Sequence, residues 1–486
     1  MKRGIALIAV ALSACSFTPR YERPAPPVPA AFPSGPAYAV QDAALPAITY
    51  RDVFQDARLR TVIEQALANN RDLRIAAANI AVARAQYRVQ RAEQLPLINS
   101  NNTLALVDPG TGRSNVGGSP VSGGLRANYN LAIGVTAFEI DLFGRLAALS
   151  QAAQARYFAS EAGAHTARLA LVGDVAAAWL QYGADRSLLS IAEQTHSNAL
   201  RSVALTRARV AGGVAARIDL AQAELILATA DADLAEQTTA IAQDVNALHL
   251  LVGAPVDPAL LPPSIEGAAP GIAALPAGVD SGVLLRRPDI VAAEYQLRAA
   301  NAQIGAARAA LFPRLSLTAF AGLASNGLSQ LFTSRAFNYT ATPGISYPVF
   351  AGGRNKAGLD SARAQFDAAV ASYERAIQTA FREVADALAR RGTITDQLGA
   401  VTRQAAAAAD SYRLSEARYK GGVDPFLATL VAQRNLYQAQ RSVVTVQLVE
   451  AANKVTLYRT LGGDMLLEQT REGPRPVTTA PLPRAQ

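Results

Sequence analysis

"RVAGGVAARIDLAQAEL", residues 209–225, and "RYKGGVDPFLATLVAQRNLY", residues 418–437, carry the same arginine and the same Gly-Gly-Val, 209 residues apart. A glycine pair inside a helix-forming run predicts a turn between two helices. Its recurrence predicts that the chain is built from one unit used twice, and missing such a repeat would misassign the whole fold.

The repeat extends in both directions. "NNRDLRIAAANIAVARAQYRVQRAEQLP" (69–96) aligns with "LRRPDIVAAEYQLRAANAQIGAARAALFP" (285–313), placing Asp72 on Asp289, Arg91 on Arg308 and Pro96 on Pro313. Arg145 of "FGR" meets Arg354 of "GGR", and Gly253 meets Gly462. The register changes between Pro96 and Arg145, where the first copy carries the polar insert "VDPGTGRSNVGGSPVSGG".

Each copy has the same order of elements. A helix ends near its proline, and two strands follow. In "LRANYNLAIGVTA", Leu125, Ala127, Tyr129, Leu131, Ile133 and Val135 alternate with Arg126, Asn128, Asn130, Ala132, Gly134 and Thr136. In the second copy Phe337, Tyr339, Ala341 and Ile345 alternate with Asn338, Thr340, Thr342 and Gly344. Period two predicts strands with one apolar and one small polar face. A sheet packed on a soluble core would also give such faces. Beyond the hairpins no proline interrupts Pro120 to Pro255 or Pro348 to Pro425. Apolar residues at Phe366, Val370, Tyr373, Ile377, Phe381, Val384 and Leu388 recur at coiled-coil spacing. A helix from Arg145 to Val210 would run roughly 100 Å at about 1.5 Å per residue. The returning helices are expected at Arg217 to Leu251 and Leu427 to Leu461.

Composition narrows the function. Half of the 486 residues are hydrophobic and 6% aromatic, which suits closely packed helices. The net charge of +8 is scattered, so it gives no clustered nucleic-acid footprint. One cysteine and three histidines (His165, His196, His249), with no histidine pair three or four apart, leave no cage for a metal. Neither a phosphate loop nor a serine elbow is present, so no catalytic or metal residues are assigned and an enzyme is not expected.

The N-terminus is informative. Lys2 and Arg3, an apolar run from Ile5 to Leu12 and small residues before Cys15 form a secretory signal, residues 1–14. "LSAC" resembles a bacterial lipobox, which implies an N-acyl and diacylglycerol lipid on Cys15 and no other cofactor; Ser16 after it implies sorting to the outer membrane. Residues 15–50, with "RYERPAPPVPAAFPSGPA", are expected as an extended strap. The repeats then span 51–253 and 286–463, joined by a linker at 254–285 and followed by a mobile tail at 464–486.

Four strands per chain are each long enough to cross an outer membrane, yet four cannot close a barrel and open edges are not tolerated in lipid. Several chains must pool their strands. Two copies give a barrel filled by side chains, whereas three give twelve strands and a lumen.

With these elements in place, the chain resembles outer membrane efflux proteins of the TolC family, in the lipoprotein branch that serves resistance-nodulation-division pumps. The resemblance rests on "LSAC" and "YERPAPPVP", "FEIDLFGR" (138–145), "LRRPDIVAAEYQLRAANAQIGAARAALFPRLSL" (285–317), "PVFAGGR" (348–354) and "RYKGGVDPFLATLVAQRNLYQAQ" (418–440). It implies a mainly α protein with a membrane β-barrel: a homotrimer whose twelve-stranded outer membrane barrel continues into a long periplasmic α-helical barrel. It further implies an exit duct for small molecules such as drugs, working with a periplasmic adaptor, an inner membrane pump and outer membrane lipid, and with no nucleic acid.

The family's tip turns would be Gly212, Gly213, Val214, Gly421, Gly422 and Val423, where the adaptor docks. Arg418, Tyr419 and Leu427 would form the constriction, with Asp219 contributed by the first copy and able to pair with Arg418. Val431 stands where the resemblance implies an aspartate, and Asp424, one turn away, is the candidate replacement. A coiled-coil lipoprotein scaffold without a channel, and the outer membrane component of type I protein secretion, are the competing assignments.

Overall fold

The computed structural model describes residues 17–38, 49–108, 125–273 and 280–477. Cys15, the signal segment and most of the polar insert fall outside these. The chain divides into two compact units, one of residues 1–24, 81–159 and 294–372, the other of residues 25–80, 160–293 and 373–486.

The element order repeats. Helices α1 (Ala57–Asn69) and α2 (Arg71–Ala92) precede β1 (Ile98–Val107) and β2 (Arg126–Ile140), then α3 (Arg145–Ala211) and α4 (Arg217–Val252). After short helical turns come α5 (Pro288–Ala309), β3 (Arg314–Ser325), β4 (Phe337–Ser346), α6 (Arg354–Lys420) and α7 (Phe426–Thr460). Without an internal proline to remove a ladder bond, α3 and α6 each run 67 residues.

In the first unit the strands form one antiparallel sheet in the order β1-β2-β3-β4. Register decides what its faces are. Leu131 opposes Leu323 and Leu323 opposes Phe337, so apolar side chains line up across β2, β3 and β4, while on β1 Leu104, opposite Tyr129, shares that face with Asn102, opposite Leu131. The other face pairs Asn101 with Ala132, Ala132 with Gly322 and Gly322 with Asn338, which keeps it small and polar. Between Val135 and Phe138 the register shifts in a bulge. There Ala137 has φ 52 and donates its N–H to Thr318 Oγ1 at 3.1 Å. The apolar face is largely exposed within one chain, with Tyr339 75% and Ile345 74% accessible. The outer edges of β1 and β4 have no strand partner among the described residues. A sheet with open edges and an apolar outer face is unfit for water and for lipid alike until further copies close it.

Also in this unit, residues 17–24 lie along α5. Phe17 stacks on Phe312 at 4.6 Å, and Phe312 on Phe143 at 4.9 Å. Asn301 donates to the Pro19 carbonyl at 2.9 Å. Gly305 is required where Thr18 crosses, since a Cβ would sit 2.3 Å from the threonine hydroxyl. The fully buried Glu294 accepts from Tyr21 at 3.1 Å and from Arg23 at 3.0 Å. Residues 17–23 of the proline-rich segment are thus clamped along α5.

The second unit has its core where the helices meet the linker. Trp179, fully buried, donates Nε1–H to the Leu260 carbonyl at 2.9 Å. Tyr373, Ile377, Val384 and Leu388 of the α6 stripe are buried. Arg287 donates to Asp289 at 2.7 Å, to Glu383 at 3.1 Å and to the Thr460 carbonyl at 2.8 Å, tying the start of α5 to the end of α7. The tail expectation needs correcting over its first part. Residues 464–477 are ordered: β5 (Leu467–Thr470) pairs with β6 (Gly473–Pro476), Leu467 is 1% exposed, and Tyr458 donates to Asp464 at 2.7 Å. Burial of Leu467 holds a segment that its prolines and charges suggested would be loose. No helix among the described residues is long and apolar enough to cross a membrane.

Candidate functional site

Both glycine pairs end their helices in the same way. The Val214 N–H reaches back to the Arg209 carbonyl at 3.0 Å and Gly213 N–H to Val210 at 3.0 Å, with Gly213 at φ 72. In the second copy Val423 bonds Arg418 at 2.9 Å and Gly422 bonds Tyr419 at 3.0 Å, with Gly422 at φ 76. These are Schellman turns, which need a left-handed residue after the helix and so select glycine. All six predicted turn residues therefore lie in two matching tips, with Val214 69% and Val423 65% exposed. Neither α4 nor α7 has a side-chain cap at its start.

The tips differ in what stitches each hairpin. In the α3/α4 hairpin Arg207 pairs with Glu224 at 2.9 Å and His196 with Asp231 at 2.9 Å. In the α6/α7 hairpin Arg418 donates to both oxygens of Asp424, at 2.5 and 2.9 Å, and Thr429 donates to the Ser415 carbonyl at 3.1 Å. The Arg418 hydrogen bond holds the Asp424 carboxyl below its ordinary range.

Within one protomer the carboxylates are partnered as follows. Arg418 does not pair with Asp219 within the protomer, because Asp424, just past its own turn, takes the guanidinium. Asp424 in turn is a neutralised carboxylate, and so does not supply the free acidic group that Val431 lacks. Asp219 sits in the first turn of α4, where the helix dipole favours a negative charge.

Tyr419, 7% exposed, anchors a cluster with Phe426, Leu430, Val203 and Ala223, drawn from both hairpins. Its ring lies 4.9 Å from that of Phe426, and the Arg209 guanidinium sits 4.7 Å above it. Further from the tip, Tyr437 of α7 donates to Asp233 of α4 at 2.6 Å, with Arg441 at 3.9 Å from the same carboxylate. Burial and then the Asp233 bond push the Tyr437 hydroxyl up to about 12. Arg209, Phe426, Asp233 and Tyr437, which join one hairpin to the other, were not among the predicted site residues. Arg209 had a signal, since it occupies the repeat position of Arg418. Its partner differs because Ala215 stands where the second copy has Asp424. Leu427 and Val431, one turn apart on α7, are 51% and 42% exposed.

A sheet that must be completed by further copies, together with two long helical hairpins ending in bare, matched tips, defines a channel-forming outer membrane protein. The comparisons give the family. The model of the family described as "Outer membrane efflux protein" matches residues 62–254 and 281–463, the two repeats. The chain is 42% identical over 467 residues to the Pseudomonas putida "Solvent efflux pump outer membrane protein SrpC", covering 94% of this chain and 97% of that one. Its fold is similar to a membrane protein from Pseudomonas aeruginosa, with TM-score 0.84 and 38% identity over 92% of this chain and 98% of the other. It is also similar to the open state of the Neisseria gonorrhoeae MtrE outer membrane channel, with TM-score 0.82 and 34% identity over 93% and 99%. The chain belongs to the outer membrane efflux protein family. It has that family's trimeric barrel-plus-helix fold in two repeats and serves as the outer membrane exit duct of an efflux system. The family is one of channels, not of enzymes.

Proposed function

We propose that the duct is gated at its two kinds of tip, docks a periplasmic adaptor on the exposed Gly-Gly-Val turns, and passes small molecules delivered by a resistance-nodulation-division pump. We further infer that it carries acyl lipid on Cys15. The observation that carries the gating reading is that, near the tips, the two hairpins are joined by one small apolar cluster and by single polar contacts, Arg209 on Tyr419 and Tyr437 to Asp233. Contacts of that kind are weak enough for a docked partner to undo. Opening then amounts to parting the α6/α7 hairpin from the α3/α4 hairpin, while Arg418–Asp424 and Arg207–Glu224 keep each hairpin intact. Asp219, at the foot of α4, and Leu427, exposed on α7, supply the groups that face the pore when the tips converge.

The strap supports the lipid assignment, because clamping of Tyr21 and Arg23 to Glu294 fixes the chain just after Cys15 beside the sheet's own unit. Conductance of the purified trimer in planar bilayers tests the gating reading. Asp219→Ala and Tyr437→Phe are expected to raise the open fraction, and an absence of channels in every tip variant would favour a structural scaffold instead.

A further inference from the structure

Between α4 and α7, immediately beyond the tip cluster, lies a cavity of about 420 Å³. It is within the size range of sites for small ligands. Leu225, Ile226, Leu427 and Val431 give it an apolar wall. Val431 matters here, since a carboxylate at that position would make the wall acidic. Two amides also line it, those of Gln222 and Gln433. Gln433 is 6% exposed, and its Nε2 has no hydrogen-bond partner among the described residues; the same holds for the buried Oε1 of Gln222. A buried amide left unpaired is costly, so these groups call for a polar partner inside the cavity. The charges there are unequal. Asp233 is taken by Tyr437 and Arg441, whereas Arg434 makes no ion pair among the described residues.

We propose that this cavity binds a small amphiphile with a flat or branched apolar body and a single anionic head, a carboxylate or sulfonate. Its body lies on the Leu225–Val431 wall, its head meets Arg434, and its polar atoms satisfy the two glutamine amides. The site draws one wall from each hairpin, so an occupant ties α4 to α7 and favours the joined arrangement of the tips. That consequence rests on the gating reading; the binding does not.

The test uses the reconstituted trimer carrying Val431→Cys, whose other cysteine is Cys15. Labelling of the new thiol by a charged maleimide is timed with and without 2-naphthalenesulfonate, and with 2-naphthol as the uncharged probe of the same shape. The sulfonate is expected to slow labelling about tenfold at about ten times its Kd, and the naphthol is expected to need about tenfold more probe for the same protection. Adding Arg434→Gln, a change at an exposed position, should abolish the difference between the probes when each protection is scaled to that variant's own unprotected rate.

Three results overturn the proposal. They are no protection by either probe, equal protection that Arg434→Gln does not alter, and a cysteine that fails to react before any probe is added, which would show that a neighbouring protomer covers the groove. None of these bears on whether the tips gate conductance.

Discussion

Removal of Arg209 is the sharpest test of how the tips hold together. Its guanidinium, on α3, lies 4.7 Å from the ring centroid of Tyr419, on α6, so this contact joins hairpin to hairpin. The Tyr419 ring is 7% exposed and Arg209 is half-buried, which places the attraction in the upper half of the usual range, about 1–2 kcal/mol. If the tips open by parting the hairpins, Arg209→Ala should raise the ratio of open to closed time by roughly 5- to 30-fold. The ratio is read from single-channel records in planar bilayers.

Tyr419→Ala loses the same contact and also the packing against Val203 and Ala223, so it should open the channel further. The double variant should match Tyr419→Ala alone, because the arginine then has no ring to act on. Tyr419→Phe keeps the ring and removes a buried hydroxyl that has no partner among the described residues, so it should leave the closed state as it is or favour it. Two outcomes refute this reasoning. One is independent, multiplying effects of the two alanine variants. The other is a Tyr419→Phe channel as open as Tyr419→Ala, which would place the closure in the hydroxyl and a partner beyond the protomer.

Three further outcomes are expected. The Asp424 carboxyl is held below its ordinary value of 3.8 by Arg418, so their pairing is complete above that value and lost as pH falls through the lower one. Open fraction should therefore stay flat from neutral pH down to about 4, whereas Asp424→Asn should remove any rise below it. Asp244 behaves oppositely. Burial and then the hydrogen bond with Asp185 raise it to about 7, so the folded state binds more protons and stability falls as pH rises from 3.8 towards 7. Thermal melts of Asp244→Asn should lose that slope and lie above wild type at pH values beyond the raised pKa. Glu294→Gln keeps the shape of the clamp but weakens bonds to a charged group worth about 1.5–3 kcal/mol. The readout is faster tryptic cleavage after Arg20, and an unchanged rate would mean that the strap is held by Phe17 and Asn301 alone.

The sequence carried the fold because its signals are periodic and long-range order follows from them. Alternation from Leu125 to Thr136 predicted a two-faced strand, and the register confirms that its apolar face continues across β2, β3 and β4. Freedom from proline predicted the long helices to within a residue or two of Arg145–Ala211 and Phe426–Thr460. The glycine pairs were legible because left-handed backbone is a local demand. Side-chain partners were not, since they depend on which groups compete for one cation. From sequence, Arg418 has only Asp219 as an expected partner, whereas within the protomer Asp424, just past the same turn, takes the guanidinium. The tail was misread for a related reason, because one buried leucine outweighs a run of polar residues only when something is in place to cover it.

The two tips share a backbone and differ in chemistry, and this difference has a consequence for opening. Position for position, the second copy has Asp424 where the first has Ala215, and Phe426 where the first has Arg217. The α6/α7 tip neutralises its arginine within its own turn, and its aromatic pair packs both on itself and on Val203 and Ala223 of the other hairpin. The α3/α4 tip has no such internal carboxylate, so Arg209 must find its partner outside, on Tyr419. If the tips gate as proposed, the Arg209–Tyr419 contact is one of the joints between the hairpins that opening has to break. A partner that covers the Tyr419 ring, or offers Arg209 a carboxylate of its own, would release the joint without unfolding either helix pair.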